Sequence, residues 1–484
     1  MKPLPLSLLI SAEITLLTAC TFQESPKPNI IVIFTDDHGY ADLGEQGYMD
    51  DLKTPNLDRL ARDGVRMTAG YVTAPQCIPS RAGLMSGQYQ QILGVDHNGT
   101  IPMPLEVTLL PARMQQAGYI TGMAGKWHLE PNHTQKEWIL ENMPELGDKE
   151  QYSPADIPFD KKLPYFPSEK GFQETYYGEM RRYYANYDLD GNSIDFQYIP
   201  DDRFRVDVQT DAALAFIKRN HDKPFFFYLA YFAPHVPLEA TEKYLSRFPG
   251  DMPERRRYCL AMLSAMDDGV GRIKDALKQY DIEENTMIFF IGDNGAPLKI
   301  HKEDIPVSFQ GGAWDGSLND PLNGEKGMIS EGGIRVPFVV SWPAKFPKNV
   351  VYDEPVISLD VAATSLAAAG LDIAPELDGV NLIPYLTGKK KGSPHDALYW
   401  EFWSQAAIRK GDWKLLIAGG KQYLFDLSKD IAEQNNLVED YPDKAIELKQ
   451  DLELWAKKHR DGSLPKEEFN NQEKDWYGYY FEAD

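Results

Sequence analysis

From Pro28 onward the chain repeats one pattern: a short apolar run of β-type residues, a polar turn with Gly or Pro, then apolar residues at helical spacing. The apolar runs predict strands over residues 29–34, 65–71, 119–124, 224–232, 287–291 and 336–342. Helices are expected over 55–62, 81–86, 108–116, 208–218, 256–280 and 359–369. Alternation of the two argues an α/β domain. Several strands are apolar throughout, as central strands covered on both faces must be. Between Glu137 and Asp202 the pattern lapses, and a long, irregular, aromatic-rich insertion is expected, with Tyr176, Tyr177, Tyr183, Tyr184 and Tyr187 around Arg181 and Arg182. Insertions this long in compact domains are usually functional or disordered. Beyond Leu377 come shorter runs at 397–402, 406–409, 413–417 and 423–426, then a helical pattern over 442–458. That predicts a small antiparallel sheet with one covering helix, so 28–376 reads as the main domain and 377–484 as a C-terminal subdomain.

The formal charge of -23 over 484 residues excludes nucleic acid as a partner, because a phosphate-binding surface needs a basic stripe. The same charge means that an anionic substrate would need local cations in its pocket. The first residues have a basic Lys2, an apolar stretch over 4–19 interrupted by Glu13, and then Leu17-Thr18-Ala19-Cys20. This resembles a bacterial lipoprotein signal with its lipobox. Residues 1–19 are then expected to be removed, Cys20 to carry lipid, and 20–27 to serve as a tether. The expected setting is an exported bacterial lipoprotein of the periplasm, outer membrane or cell surface, held to the membrane through Cys20. Only three cysteines occur, and they leave no disulfide framework. Cys259 falls in helical step with Met262, Leu263, Met266, Val270 and Ile273 and reads as core.

Two expected strands end in oxygen-rich pairs, Asp36-Asp37 and Asp293-Asn294. Ligands of an open α/β sheet gather outside the carboxyl ends of its strands. Hard oxygens with surplus negative charge suit calcium or magnesium and suit zinc poorly. Each pair alone could equally cap a helix or form a turn. Between them in the chain lies Cys77-Ile78-Pro79-Ser80-Arg81, where a strand gives way to a helix.

This Cys-x-Pro-Ser-Arg core resembles the signature of the type I sulfatases of the alkaline phosphatase superfamily. The resemblance implies a large mixed sheet sandwiched by helices, with the smaller antiparallel sheet and helix following. It implies oxidation of Cys77 to formylglycine by a maturation enzyme, and one calcium ion held by Asp36, Asp37, Cys77, Asp293 and Asn294. Arg81 would pair with a hydroxyl or a sulfate oxygen near a helix N-terminus. Gly125-Lys126-Trp127-His128 resembles the family's Lys-x-His element, which implies Lys126 as an anion clamp and His128 as a base. By the same resemblance His235 would protonate the departing alcohol, and Lys326, in Gly324-Glu325-Lys326-Gly327, would be a second clamp.

The expected activity is removal of sulfate from sulfated carbohydrates, with oligosaccharides of marine algal polysaccharides such as ulvan or carrageenan foremost, by resemblance of setting. Specificity would lie in the 137–202 insertion and a loop over 297–323, with Arg181, Arg182, His301, Trp314 and Asn319 as candidate sugar contacts. His38 is a further pocket candidate. The alternatives are a phosphonate or phosphate ester hydrolase of the same superfamily, or an inactive glycan-binding surface protein.

Overall fold

In a computed structural model of the protein, residues 27–132, 134–150, 152–300, 302–308, 313–458, 462–465 and 468–482 are described. The expected signal segment, Cys20 and His301 lie outside these residues.

The centre is a ten-stranded mixed sheet. Asn29–Asp36 is its middle strand and pairs in parallel with Phe225–Pro234 on one side and Thr286–Gly292 on the other. Ile120–Gly125 adds a fourth parallel strand beyond Phe225–Pro234. Strand periodicity decides the layers, because successive side chains point to opposite faces. Ile30, Val32 and Phe34 enter one hydrophobic core while Ile31 and Ile33 enter another, and Phe226 and Tyr228 part from Phe225 and Phe227 in the same way. The helices Cys77–Ser86, Leu110–Gln116 and Asp360–Ala368 contribute to the first core, and Pro55–Arg62, Arg205–Asn220 and Glu254–Gln279 to the second. Cys259 is fully buried in the second core.

The second half of the aromatic insertion is regular, contrary to the irregular loop expected from its sequence. Glu174–Gly178, Arg182–Tyr187 and Ser193–Pro200 extend the sheet in order beyond Ile120–Gly125. Tyr177, Tyr184 and Phe196 stack across them, with Tyr198 set edge-on to Tyr184. Their alternation is masked because aromatic residues occupy both faces: Tyr177 and Tyr184 on one, Tyr176 and Tyr183 on the other.

The strands Leu398–Phe402, Gln405–Lys410, Trp413–Ala418 and Lys421–Asp426 form an antiparallel four-stranded sheet. Two helices rather than one accompany it, Pro442–Ala456 and Asn471–Tyr480. The second helix starts with a capping box, Asn470 accepting from Glu473 N and Glu473 from Asn470 N. Its core also takes in Tyr71, Met328, Ile329 and Ile334 of the larger unit, so the two parts share one hydrophobic cluster.

Candidate active site

Four parallel strands run side by side, and chemistry-bearing residues follow the carboxyl end of each: Asp36-Asp37, Lys126, His235 and Asp293-Asn294. Gly125 has φ +96°, and a Cβ there would meet Ala230 O at 1.9 Å, so glycine is required for the chain to turn into Lys126. Asp37 and His128 also adopt the left-handed conformation, at φ 58° and 62°, a cost tolerated chiefly at functional positions.

Cys77 is the first residue of its helix, four residues earlier than the sequence pattern indicated. Pro79 and the small Ser80 hide the apolar period there. The helix start is held by Asn98, whose Oδ1 accepts from Ile78 N at 3.0 Å. The Cys77 Sγ lies 3.4 Å from Asp36 Oδ1. Burial pushes the Cys77 thiol up, against the pull of Lys126 and Lys326.

Three carboxylates meet three cations in this pocket. Lys126 Nζ is 2.7 Å from Asp36 Oδ2, Lys326 Nζ is 2.7 Å from Asp37 Oδ1, and Arg81 Nη2 is 2.7 Å from Asp293 Oδ2. Within these three pairs the formal charges cancel, so an added divalent cation would leave the paired groups net positive, suited to a sulfate ester. Burial alone would raise Asp36, but Lys126, His235 and Arg81 hold it well below the usual carboxylate range. Asp37 is drawn down to about 2 against its burial, chiefly by Lys326 and His235. Asp293 goes the other way, to about 7, because burial and the charge of Asp36 outweigh Arg81.

One donor atom each from Asp36, Asp37, Cys77 and His235 falls within 4.8 Å of the others. Asn294 donates to Asp37 Oδ1 at 2.7 Å, while its own Oδ1 is buried with no hydrogen-bond partner. A buried acceptor so placed costs about 1–3 kcal/mol, and a bound cation would satisfy it. The oxygens of Asp36, Asp37 and Asn294 fit calcium or magnesium, whereas the Cys77 sulfur and the His235 nitrogen beside them are softer donors. Asp293 stands beside the cluster with both oxygens engaged, Oδ1 by Asp37 N at 3.0 Å and Oδ2 by Arg81.

His235 Nε2 lies 3.6 Å from Asp37 Oδ2. Burial drives this imidazole down to about 4, against Asp36 and Asp37. His128 is buried two residues beyond Lys126. Lys326 rides a loop anchored by its own N–H to Ala296 O at 3.2 Å and by Gly327 N to Pro75 O at 2.9 Å.

The sugar-contact candidates divide. Arg181 and Arg182 are exposed, and Arg181 Nη2 lies 3.9 Å from Glu239. Asn319 is instead fully buried, its Oδ1 accepting from Ala296 N and its amide donating to the carbonyls of Ala296 and Gly324. It braces the loop and has no polar atom left for a sugar. Trp314 is likewise buried and donates to Ser317 O at 3.2 Å. His38 is a core histidine, edge-on to Phe290, with Nε2 2.6 Å from Asp42 O.

Two pocket residues escaped the sequence reading. Tyr228 OH lies 3.2 Å from Arg81 Nη1, yet it sits in a strand that reads as pure core. Asp315 is fully buried and accepts from Val236 N at 3.2 Å. Burial, then the charge of Asp37, raises it to about 8. Its Trp-Asp-Gly surroundings carry no spacing signal.

Residues 28–371 match the family profile described as Sulfatase, and residues 324–460 match one described as N-sulphoglucosamine sulphohydrolase, C-terminal. The uncharacterized sulfatase YdeN of Escherichia coli (strain K12) is 32% identical over 425 residues, covering 79% of this chain and 70% of that protein. Arylsulfatase J of Mus musculus is 31% identical over 432 residues, covering 81% of this chain and 64% of that protein's length. Among solved structures, Ps i-CgsB in complex with k-i-k-neocarrahexaose is similar at a TM-score of 0.73 and 28% identity, over 93% of this chain and 97% of that one.

Proposed function

This chain belongs to the sulfatase family, and from that premise we propose that it removes sulfate from sulfated oligosaccharides at the pocket around Cys77. The observation that carries the reading is the meeting of Cys77, Asp36 and Asp37 with Lys126, Lys326, Arg81 and His235 in one buried pocket.

Lys126, Lys326 and Arg81 bind and orient the sulfate oxygens. The helix N-terminus at Cys77 adds N–H groups and a dipole of favourable sign. His235, with Nε2 turned toward Asp37, gives a proton to the leaving oxygen, and the negative charge of a bound sulfate group favours its imidazolium form. His128 takes a proton in the step that frees sulfate. A formylglycine made from Cys77 would supply a hydrated aldehyde, with one hydroxyl to act on sulfur and another whose deprotonation lets sulfate go. A calcium ion held by Asp36, Asp37, residue 77, Asp293 and Asn294 would lower the pKa of a nearby hydroxyl and stabilise charge on sulfate oxygens.

We take the substrate class to be oligosaccharides of algal galactans such as carrageenan, with ulvan fragments as a second class. The similarity to Ps i-CgsB supports the first, and exposed Arg181 and Arg182 are suited to further anionic groups on the sugar. Export with a lipid on Cys20 accords with such a polymer-degrading role, and acyl-labelling of the wild type against Cys20→Ala tests it.

The test of the activity is sulfate release from a panel of defined sulfated oligosaccharides. The protein used should have its residue-77 peptide checked by mass for conversion to formylglycine. Release of sulfate by converted protein alone is expected. Full activity with an unmodified thiol would overturn the formylglycine assignment. Faster turnover of the matching phosphate or phosphonate esters would overturn the sulfatase one.

A further inference from the structure

We infer that Arg205 is a positioning residue that sets His235 for proton transfer to the departing sugar oxygen, an inference that rests on the assignment of His235 made above. Arg205 begins the helix Arg205–Asn220 and is 1% exposed. Its Nη2 donates to the carbonyl of His235 at 2.6 Å and to that of Pro237 at 2.9 Å. From the other side, Asp315 accepts from Val236 N at 3.2 Å. Three consecutive residues are thus gripped by groups from two distant segments, and the histidine backbone has little room to shift.

The ring is held as well. Phe232 stacks on the His235 imidazole, with centroids 4.9 Å apart and 25° between planes. The Arg205 guanidinium lies 4.6 Å from the centre of the same Phe232 ring, and Lys126 Nζ lies 4.8 Å from it. Cations over an aromatic face attract it, so Arg205 fixes the platform under the imidazole while its Nη2 fixes the carbonyl. His235 Nδ1 is turned to Val236 O, which leaves Nε2 facing the pocket and Asp37.

A role in stability alone does not explain this placement. Nε and Nη1 of Arg205 are buried without hydrogen-bond partners, and Glu239 Oε1 stands 3.8 Å from Nε. Unmet buried donors cost free energy, and a cation at the first position of a helix opposes the helix dipole. What the site does require is a planar cation that can lie on Phe232 and reach two carbonyls at once. Lysine has the charge and the donors but not the plane.

The experiment compares two esters of one enzyme. A sugar oxygen is a poor leaving group and needs the proton, whereas 4-nitrophenolate leaves without it. With Arg205→Met, kcat/KM for the sulfated sugar should fall by about tenfold or more and that for 4-nitrophenyl sulfate by less than about threefold, since general-acid catalysis is worth about 10²–10⁴-fold. Arg205→Lys should fall between the two, and it carries the comparison if the Met variant does not fold. Where the aryl ester is not turned over, the solvent deuterium isotope effect on kcat with the sugar ester is read instead, and it should rise in both variants. Equal losses on both esters, an unchanged isotope effect, or no loss at all would overturn the proposal. His235→Ala separates its failure from that of the function: if His235→Ala is selective for the sugar ester and the Arg205 variants are not, only the role of Arg205 is wrong. If His235→Ala is itself unselective, the acid assignment is wrong.

Discussion

Trp476 donates its indole N–H to Glu325 Oε1 at 2.6 Å, joining the last helix to the residue beside Lys326 across 151 positions of chain. The same ring packs on Gly327, where φ is +99° and a Cβ would meet the indole at 2.3 Å. Glu325 Oε2 accepts from Leu298 N at 2.6 Å, so the carboxylate ties three segments together. The helix Asn471–Tyr480 therefore holds the loop that aims Lys326 into the pocket.

Trp476→Phe keeps most of the packing and leaves Glu325 short of one donor. Stability should drop by about 1–3 kcal/mol, read by denaturant unfolding, and KM for the sulfate ester should rise because Lys326 is less well held. An unaltered KM together with unaltered stability would show that the last helix does not support the pocket.

Arg81 is fully buried between Asp293 at 2.7 Å and Asp36 at 3.6 Å. Arg81→Ala leaves those carboxylates facing each other without it, and removing one partner of a buried pair typically costs about 3–5 kcal/mol. The variant should be inactive and markedly less resistant to urea. A loss below about 1 kcal/mol would mean that the cation is not needed to hold the carboxylates.

Calcium should raise the thermal midpoint of the wild type, because Asp36, Asp37 and Asn294 Oδ1 are buried in the folded pocket and scattered in the unfolded chain. At a free concentration a hundredfold above Kd the gain is about 2.7 kcal/mol. Chelation should reverse it, and Asp37→Asn should need more calcium for the same shift. A midpoint indifferent to calcium and magnesium alike would count against a metal at this pocket.

His395 Nε2 lies 2.8 Å from Asp360 Oδ1, and Asp360 also accepts from the N–H groups of Ile357 and Val380. Burial lowers the histidine, but the charge of Asp360 and the hydrogen bond to it prevail and raise it above its ordinary 6.5. A raised folded value contributes stability that is fully present below the unfolded pKa and is lost as pH climbs through the folded one. The advantage of wild type over His395→Gln in denaturant unfolding should therefore be largest near pH 6 and shrink by about pH 9. A difference independent of pH would remove the ion pair from the account.

Local pattern carried much of this protein. The apolar runs over 29–34 and 224–232 were legible as central strands because both faces of each are covered, so no polar alternation interrupts them. The motifs of the pocket were legible in part for a related reason: Asp36-Asp37, Cys77 to Arg81, Lys126 and Asp293-Asn294 each sit where a strand or turn ends, so their residue types stay together in the sequence, while the roles of Cys77 and Lys126 and the joining of the two acidic pairs into one metal site came from the resemblance to the sulfatase family. Tertiary structure decided the rest. Only folding could turn Asn319 inward to the carbonyls of Ala296 and Gly324, bring Asp315 under Val236, or carry Trp476 to Glu325. Those contacts join residues far apart in the chain or spend a polar side chain on backbone groups, and neither leaves a periodic trace. Residue type at strand ends fixes what chemistry is present; long-range packing fixes which of those groups face the pocket and how firmly each is held.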